Sequence, residues 1–523
     1  MSKFNSTPQS RSPRTVSKEG VSAFKPSAYQ ELCDCVLSCF FGEDKAYESG
    51  SQASNELIKL VRKVGAKDPA FIAKLTVLAR EEFNLRSVAH VLSAELSKIH
   101  KGDDLVSRVI SRVSKRPDDM QETLAYLLSS AQVDVGLNNR KRHLNKAIPN
   151  QVKKGLASAF TKFDEYQLSK YNSAKREVKL IDILRLTHPK PIDESQSELW
   201  GRLKNNTLKQ ATTWERELTK AGQNAEGDVQ EEKQKAWETL IMEEKLPFMA
   251  ALRNIRNIMK AGVSREAHTK LQSYLSNEKA VLNSKQLPFR FYSAWKAIQE
   301  VADPFLVKEY KKVLSKALFY SAKNVKKLEG RTFICTDLSG SMTMGTTSKN
   351  SDMNYKEIGA VMSVLANQFS DNAIISVFAT GFGLVNISGQ PESTLEDVEK
   401  ILKMNIGHGT DAHLIFKYLN ENKVDVDNII IFSDMQFNGQ YSDNWRYRSE
   451  KTADKDVTAY RKNVNSEAYL YEVNLAGYGS TQIDPANKKN IFMSGWSDAS
   501  LKYIAEYQEL RNGIVDMVKA VEL

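Results

Sequence analysis

Four cysteines in 523 residues are too few to lace a chain of this length together, which excludes a disulfide scaffold. Cys33, Cys35 and Cys39 cluster, but C-x-C-x₃-C has no histidine nearby to complete a metal set. They read as small buried residues. No apolar run approaches the ~18 residues that a membrane-spanning helix needs, and the first residues hold no apolar signal-peptide core. The expectation is a cytosolic protein without a membrane partner. Also missing are a Walker A loop, H-E-x-x-H and G-x-S-x-G, so three readable enzyme classes lose their motif. What remains is ordinary globular composition, 41% hydrophobic and 26% charged, long enough for two or more domains.

Acidic residues are lacking in one place. Residues 135–163 hold none, while carrying Arg140, Lys141, Arg142, Lys146, Lys153, Lys154 and Lys162. Lys170, Lys175, Arg176, Lys179 and Arg185 follow, just before His188-Pro189-Lys190. The whole chain carries +10, with 56 Lys+Arg against 39 Asp+Glu up to residue 330 and 18 against 25 beyond it. The basic excess of +17 therefore belongs to the N-terminal part, and a polyanion is its natural partner. Phe163, Tyr166 and Tyr171 interleave and could stack on bases. A solvated helix face with core aromatics would give the same pattern.

Residues 1–20 are polar and basic with almost nothing apolar, and read as a flexible tail. From about residue 27 the period is helical for some 300 residues, as in Phe71, Leu75, Leu78, Ala79 and in Val88, Val91, Leu92, Leu96. Polar breaks at Lys67-Asp68-Pro69, Lys101-Gly102-Asp103 and Arg116-Pro117-Asp118-Asp119 divide the segments, suggesting stacked helix pairs. Residues 222–235 are polar enough for a loop and a solvated helix start. After residue 331 strands and helices alternate: strands at 373–380, 428–434, 468–475 and 490–493, helices at 394–404, 411–420 and 497–510. Such alternation predicts a mostly parallel sheet covered by helices, with ligands at the carboxyl ends of its strands.

Thr332 to Thr336 reads as a buried strand that ends in Asp337-Leu338-Ser339-Gly340-Ser341. Gly409-Thr410-Asp411 and a strand ending in Ser433-Asp434 supply further oxygens. Asp337, Ser339, Ser341, Thr410 and Asp434 form an all-oxygen set suited to a hard divalent ion such as Mg²⁺. A capping box with two strand-end acids is the plain alternative. In order and type the five resemble the metal-ion-dependent adhesion site of von Willebrand factor A domains.

The chain as a whole resembles the TROVE-domain proteins, the family of the Ro ribonucleoprotein autoantigen and its bacterial and phage relatives. The stretches that carry this are Asp182–Pro191 (DILRLTHPKP), Leu246–Asn254 (LPFMAALRN), Leu287–Phe291 (LPFRF) and the Asp337 loop. The resemblance implies a multidomain fold: an all-α ring of HEAT-like repeats over residues 21–330, closed by an α/β A domain over 331–523. It implies a non-enzymatic protein, monomeric, that holds small structured Y-like RNA on its basic outer surface. Single-stranded 3′ ends of misfolded RNA enter the ring, and an exoribonuclease is an expected partner in bacterial relatives. The family's Y RNA contacts fall here on Lys170, on Lys175 or Arg176, and on His188. The spacing from Lys170 to His188 is one residue longer than the family's, and Pro189 stands where the family has Leu. Arg140, Lys141, Arg142, Lys153 and Lys154 are the further candidates for RNA. DNA is not expected.

Two enzyme-free and enzyme-bearing alternatives stay open. A metal-dependent hydrolase or nuclease would want a denser acid cluster than D-x-S-x-S. A protein-interaction scaffold would use the basic helices for acidic partners. Arg253, Asn254, Arg256 and Asn257 lie on one helical stripe and either contact phosphates or tie helices together; Arg290, between Phe289 and Phe291, has the same two readings. Glu329–Arg331 is the one candidate hinge between the two parts.

Overall fold

Helices begin where the sequence breaks. Asp68 accepts from the Phe71 amide at 3.0 Å with Pro69 at the first helical position, opening Pro69–Glu81. Asp164 and Gln167 form a reciprocal capping box for Glu165–Tyr171, as do Asn354 and Glu357 for Tyr355–Phe369. Once started, the segments bury the apolar stripe that the period predicts: Phe71, Leu75, Leu78, Val88, Val91, Leu92 and Leu96 are all buried. Each such side chain contributes about 2 kcal/mol by leaving water. The computed structural model describes residues 13–18, 20–37, 50–135, 148–223, 228–323, 325–344, 353–438, 453–495, 500–505 and 514–523.

Two compact units result: residues 54–224 with 516–523, and residues 1–53 with 225–515. In the first, Pro69–Glu81 packs on Arg86–Ile99, which packs on Pro117–Val135, while Leu105–Val113 packs on Asn150–Phe160. These are the expected helix pairs. A buried ion network locks them. Asp119 accepts from Arg80, from Arg86 at 2.7 Å and from the amides of Lys115 and Arg116.

The second unit holds a six-stranded sheet. Its strands, after a short N-terminal pair β1 (Arg14–Val16) and β2 (Ser22–Phe24), are β3 (Leu328–Asp337), β4 (Ser370–Phe378), β5 (Phe382–Leu384), β6 (Asn428–Ser433), β7 (Tyr469–Asn474) and β8 (Asn490–Ser494). The order is β5-β4-β3-β6-β7-β8, parallel except for the edge strand β5. The sequence missed β5, which is only three residues long. Phe333, Cys335, Ile429 and Ile431 share one face of the sheet with Ile415, Phe416, Leu419, Val457 and Tyr460 of the helices His413–Glu421 and Ala453–Asn463. On the other face Thr336 meets Ser363 of Tyr355–Phe369, hydroxyl to hydroxyl at 2.6 Å. The remaining bounds differ from expectation by a few residues; of the closing helix expected at 497–510, residues 500–505 are described and are helical.

The compact unit does not follow the composition boundary at 331. Helices Phe289–Ile298 and Pro304–Tyr320 pack on Tyr355–Phe369 and Thr394–Leu402. Lys296–Glu357 at 2.7 Å, Lys311–Glu399 at 3.1 Å and the Trp295 indole N–H to Glu399 at 2.8 Å tie them together. Composition changes where the sheet starts, but packing is decided by which helices cover it. Glu329–Arg331, the candidate hinge, lies within β3, where Gly330 takes φ +85 and the Arg331 amide donates to Asp427 at 2.7 Å.

The N-terminal segment also departs from expectation. Residues 1–12 lie outside the described residues, but 14–16 pair with 22–24 in an antiparallel hairpin. Phe24 bridges to Thr481, and the Lys18 amide donates to Gln436 at 2.8 Å. Val21, Ala23 and Phe24, just past the polar stretch, are buried and anchor the hairpin. Cys33, Cys35 and Cys335 are buried free thiols as expected; Cys39 lies outside the described residues. Among the described residues no helix is long and apolar enough to cross a membrane.

Candidate metal centre and nucleic-acid interface

β3 and β6 are neighbours in the middle of the sheet, and the chain leaves β3 toward β4 on one side before returning to β6 on the other. A crevice opens at such a reversal, outside the carboxyl ends of the strands. Thr336 pairs with Phe432, so Asp337 and the Ser433-Asp434 end emerge side by side. Backbone hydrogen bonds stitch three loops to one another and to the end of β4: Gly340 N–H to His408 C=O at 2.8 Å, Asn438 N–H to Thr410 C=O at 2.8 Å, and Asp411 N–H to Ala379 C=O at 2.9 Å. The three loops carry all five residues expected as ligands.

Asp337, Ser339, Ser341, Thr410 and Asp434 are all buried. The Ser339 amide donates to Asp337 Oδ1 at 2.8 Å, Ser433 Oγ donates to Asp337 Oδ2 at 2.5 Å, and the Ser339 and Ser341 hydroxyls meet at 3.2 Å. The Gln436 amide donates to Asp434 Oδ1 at 3.1 Å. Burial, and next the neighbouring Asp434 charge, push the Asp337 carboxyl up to about 7. Two buried carboxylates with three hydroxyl oxygens are a donor set that suits a hard divalent cation. Among the described residues no three His, Cys, Asp or Glu side chains gather as metal ligands, so hydroxyls have to complete any site here.

The RNA candidates fall in the other unit. Glu165–Tyr171 and Leu180–Thr187 both pack on Pro117–Val135. Lys170 lies over the rings of Tyr166 and Tyr171, 5.9 and 5.8 Å from their centroids, and Arg116 lies 4.6 Å over Tyr171. Tyr166 is exposed. Lys175 is exposed, whereas Arg176 is paired with Glu122 at 2.5 Å and Asp118 at 3.6 Å. His188 caps Leu180–Thr187 in the left-handed region, φ 46, and is exposed. Lys153 is half-buried and Lys154 exposed on Asn150–Phe160. Arg140, Lys141 and Arg142 lie outside the described residues.

The family model described as TROVE domain matches residues 32–206 and 201–339, and that described as Ro60 vWA domain matches residues 331–508. The chain belongs to the TROVE family. It is similar to the Telomerase protein component 1 of Rattus norvegicus, 24% identical over 353 residues, and to that of Mus musculus, 23% identical over 364. Those matches cover 51% and 54% of this chain but 13% of each relative's length. The RNA-binding protein RO60 of Deinococcus radiodurans is 24% identical over 188 residues, 36% of this chain and 33% of that protein. The crystal structure titled Deinococcus radiodurans RO (RSR) protein superposes with a TM-score of 0.59 at 16% identity, covering 92% of this chain and 99% of that one. The expected fold class, a helical TROVE region followed by an A domain with a mostly parallel sheet, is therefore the fold of this TROVE protein.

The stripe on Phe248–Ala261 resolves residue by residue. Asn254 is buried and donates to the Ala250 carbonyl of its own helix at 2.9 Å, while Arg256 reaches Glu300 at 3.4 Å. Arg290 lies 5.5 Å from the Phe289 ring centroid, and desolvation followed by the nearby Arg253 charge lowers its pKa. Sequence reasoning missed Ser433, which holds Asp337, and Arg116, which completes the Tyr171 stack. The first stands next to the strand-end acid and was legible there; the second comes from the break before Pro117–Val135, 55 residues away from its partner, and was not.

Proposed function

We infer that this TROVE protein is a non-enzymatic RNA-binding protein that holds small structured, Y-like RNA and the 3′ ends of misfolded RNAs. The observation that carries the reading is the cation–aromatic platform of Tyr166, Lys170, Tyr171 and Arg116, beside exposed Lys175 and His188. An exposed ring offers a base a stacking face, and adjacent cations take its phosphates. The name of the Deinococcus relative, an RNA-binding protein, supports the same reading. On the A domain, Asp337 and Asp434 with Ser339, Ser341 and Thr410 would hold Mg²⁺, which would neutralise the two carboxylates and fix the three loops. A protein carboxylate, as on an exoribonuclease partner, could complete the shell.

Purification at low salt, extraction of bound RNA and its sequencing test the reading. One or a few small structured species are expected, with affinity falling steeply as salt rises. Absence of bound RNA after gentle lysis, or affinity indifferent to salt, overturns it.

A further inference from the structure

Gly155 brings two helices together. A Cβ there would lie 2.8 Å from the Ser107 carbonyl oxygen and 2.8 Å from Ile110 Cβ, so Leu105–Val113 and Asn150–Phe160 approach as only glycine allows. Their polar edges then meet, with Ser111 Oγ and Ser158 Oγ 2.9 Å apart. Above that contact lies an open cleft of about 410 Å³, lined by Arg108, Arg112, Lys115, Lys154 and Lys162 with Ser107, Ser111 and Ser158.

Among the described residues no acidic side chain lines the cleft. From behind, Glu81 pairs with Arg112 at 2.8 Å and Lys115 at 2.7 Å, and Asp104 pairs with Arg108 at 2.9 Å. Among the described residues Lys154 and Lys162 make no ion pair; Lys162 Nζ donates only to the Ser111 carbonyl, at 2.5 Å. Burial and then the Lys115 charge hold the Lys162 ammonium below its ordinary value, with Glu81 opposing them in part. The guanidiniums already reach for main-chain oxygens of the same unit: Arg108 donates to the Leu523 main-chain oxygen at 3.4 Å, and Arg112 to Glu522 C=O.

We propose that this cleft is a phosphodiester subsite for RNA, in which Lys154, Lys162 and Arg112 take the phosphate oxygens and the serine hydroxyls donate beside them. The inference rests on the RNA-binding reading and adds a place for the backbone that neither Lys170, Lys175, Arg176 nor His188 supplies. Among the described residues the lining has no aromatic ring to stack on a base and no side-chain amide or carboxylate to read one. It therefore grips the backbone without regard to sequence, positioning the RNA rather than selecting it.

The full chain titrated by fluorescence anisotropy with two RNA hairpins of different sequence tests this. Lys154→Glu is the principal variant because Lys154 is exposed and unpaired among the described residues, and Lys162→Gln is the second. Each should weaken both hairpins alike, by about tenfold at low salt, and flatten the plot of log affinity against log salt by about 1. Unchanged affinity in both variants, with the wild type still binding, overturns the subsite alone. Loss for one hairpin only does so too. A wild type that binds neither hairpin overturns the subsite together with the reading beneath it. Amine acylation of Lys154 in the wild type separates the anions: RNA should protect it, while inorganic phosphate or polyglutamate at matched ionic strength should not. Equal protection by inorganic phosphate marks a small-anion site and overturns the RNA assignment, and protection by polyglutamate alone marks a protein partner and does the same.

Discussion

Asp119 in the helical unit and Asp337 in the sheet unit are both buried carboxylates, yet their surroundings drive them in opposite directions. Asp119 faces Arg80, Arg86 and His90, and despite the cost of burial these hold its pKa below the ordinary carboxylate value. Asp337 faces another carboxylate, Asp434, and two hydroxyls, and is pushed up to about 7. One acid has its cations built in and serves the fold. The other meets hydroxyls, a backbone amide and a second carboxylate, and a cation from solution would complete it. Burial alone thus says little about role; what matters is whether the protein supplies the counter-charge.

Removing the built-in case should have the largest effect. Asp119→Ala strands Arg80 and Arg86 and frees two backbone amides, and should cost about 3 kcal/mol or more in urea unfolding. The same contrast predicts opposite pH responses. His90 is held down to about 4, first by burial, so the folded state binds fewer protons there than the unfolded chain. Its contribution is complete above about 6.5 and is lost as pH falls toward 4; Asp119 acts in the same sense at lower pH. Asp337 and Glu472, pushed up to about 7 and about 8, chiefly by burial, reverse the sign. Their folded forms hold protons that the unfolded chain releases near pH 4, so the sheet unit loses stability as pH rises toward 8. Hydrogen exchange corrected for intrinsic rates should show the helical unit opening more at pH 5 and the sheet unit more at pH 8. Parallel responses in the two units would remove the contrast.

Magnesium sharpens the comparison at its second step. Added Mg²⁺ should raise the unfolding temperature of the wild type at pH 8, and isothermal titration should follow its binding directly. Asp337→Asn removes one charge from the pair while keeping its shape, and should weaken binding by roughly 10- to 100-fold. Equal binding by the wild type and by Asp337→Asn would refute the assignment.

The fold was largely legible because its signals are local. Helical periods, Asp-Pro starts and the strand–loop run from Thr332 to Ser341 each declare themselves within about ten residues. The candidate metal site shared that advantage, since each ligand stands at a strand end or beside a glycine. Legibility failed where partners come from distant helices. Nothing near Arg176 in the sequence announces Glu122 or Asp118, and nothing near Lys162 announces Ser111. The family models change over near 331 as the sequence does, but the pairing of Lys296, Lys311 and Trp295 with the sheet domain was not visible there. Side-chain pairing across helices follows from the fold and is invisible before it.

Lys175 and Arg176 turn that lesson into the smallest effect and the finest discrimination. Adjacent in sequence, they were interchangeable candidates for one RNA contact. In the fold, Arg176 bridges Glu122 and Asp118, while Lys175 stands exposed on the turn after Glu165–Tyr171. The half-exposed pair with Glu122 is worth about 0.5 kcal/mol, and buried Asp118 keeps Arg86 and Arg116 as partners, so Arg176→Ala should lower stability slightly. Lys175→Ala should leave stability unchanged and weaken RNA severalfold, shifting the salt slope by up to about 1. Measured together, the two variants separate a cation that holds the protein from one that is available to hold RNA. If Arg176→Ala loses the RNA and Lys175→Ala does not, the phosphate displaces Glu122 and Asp118 on binding, and exposure is the wrong guide to which cation is used.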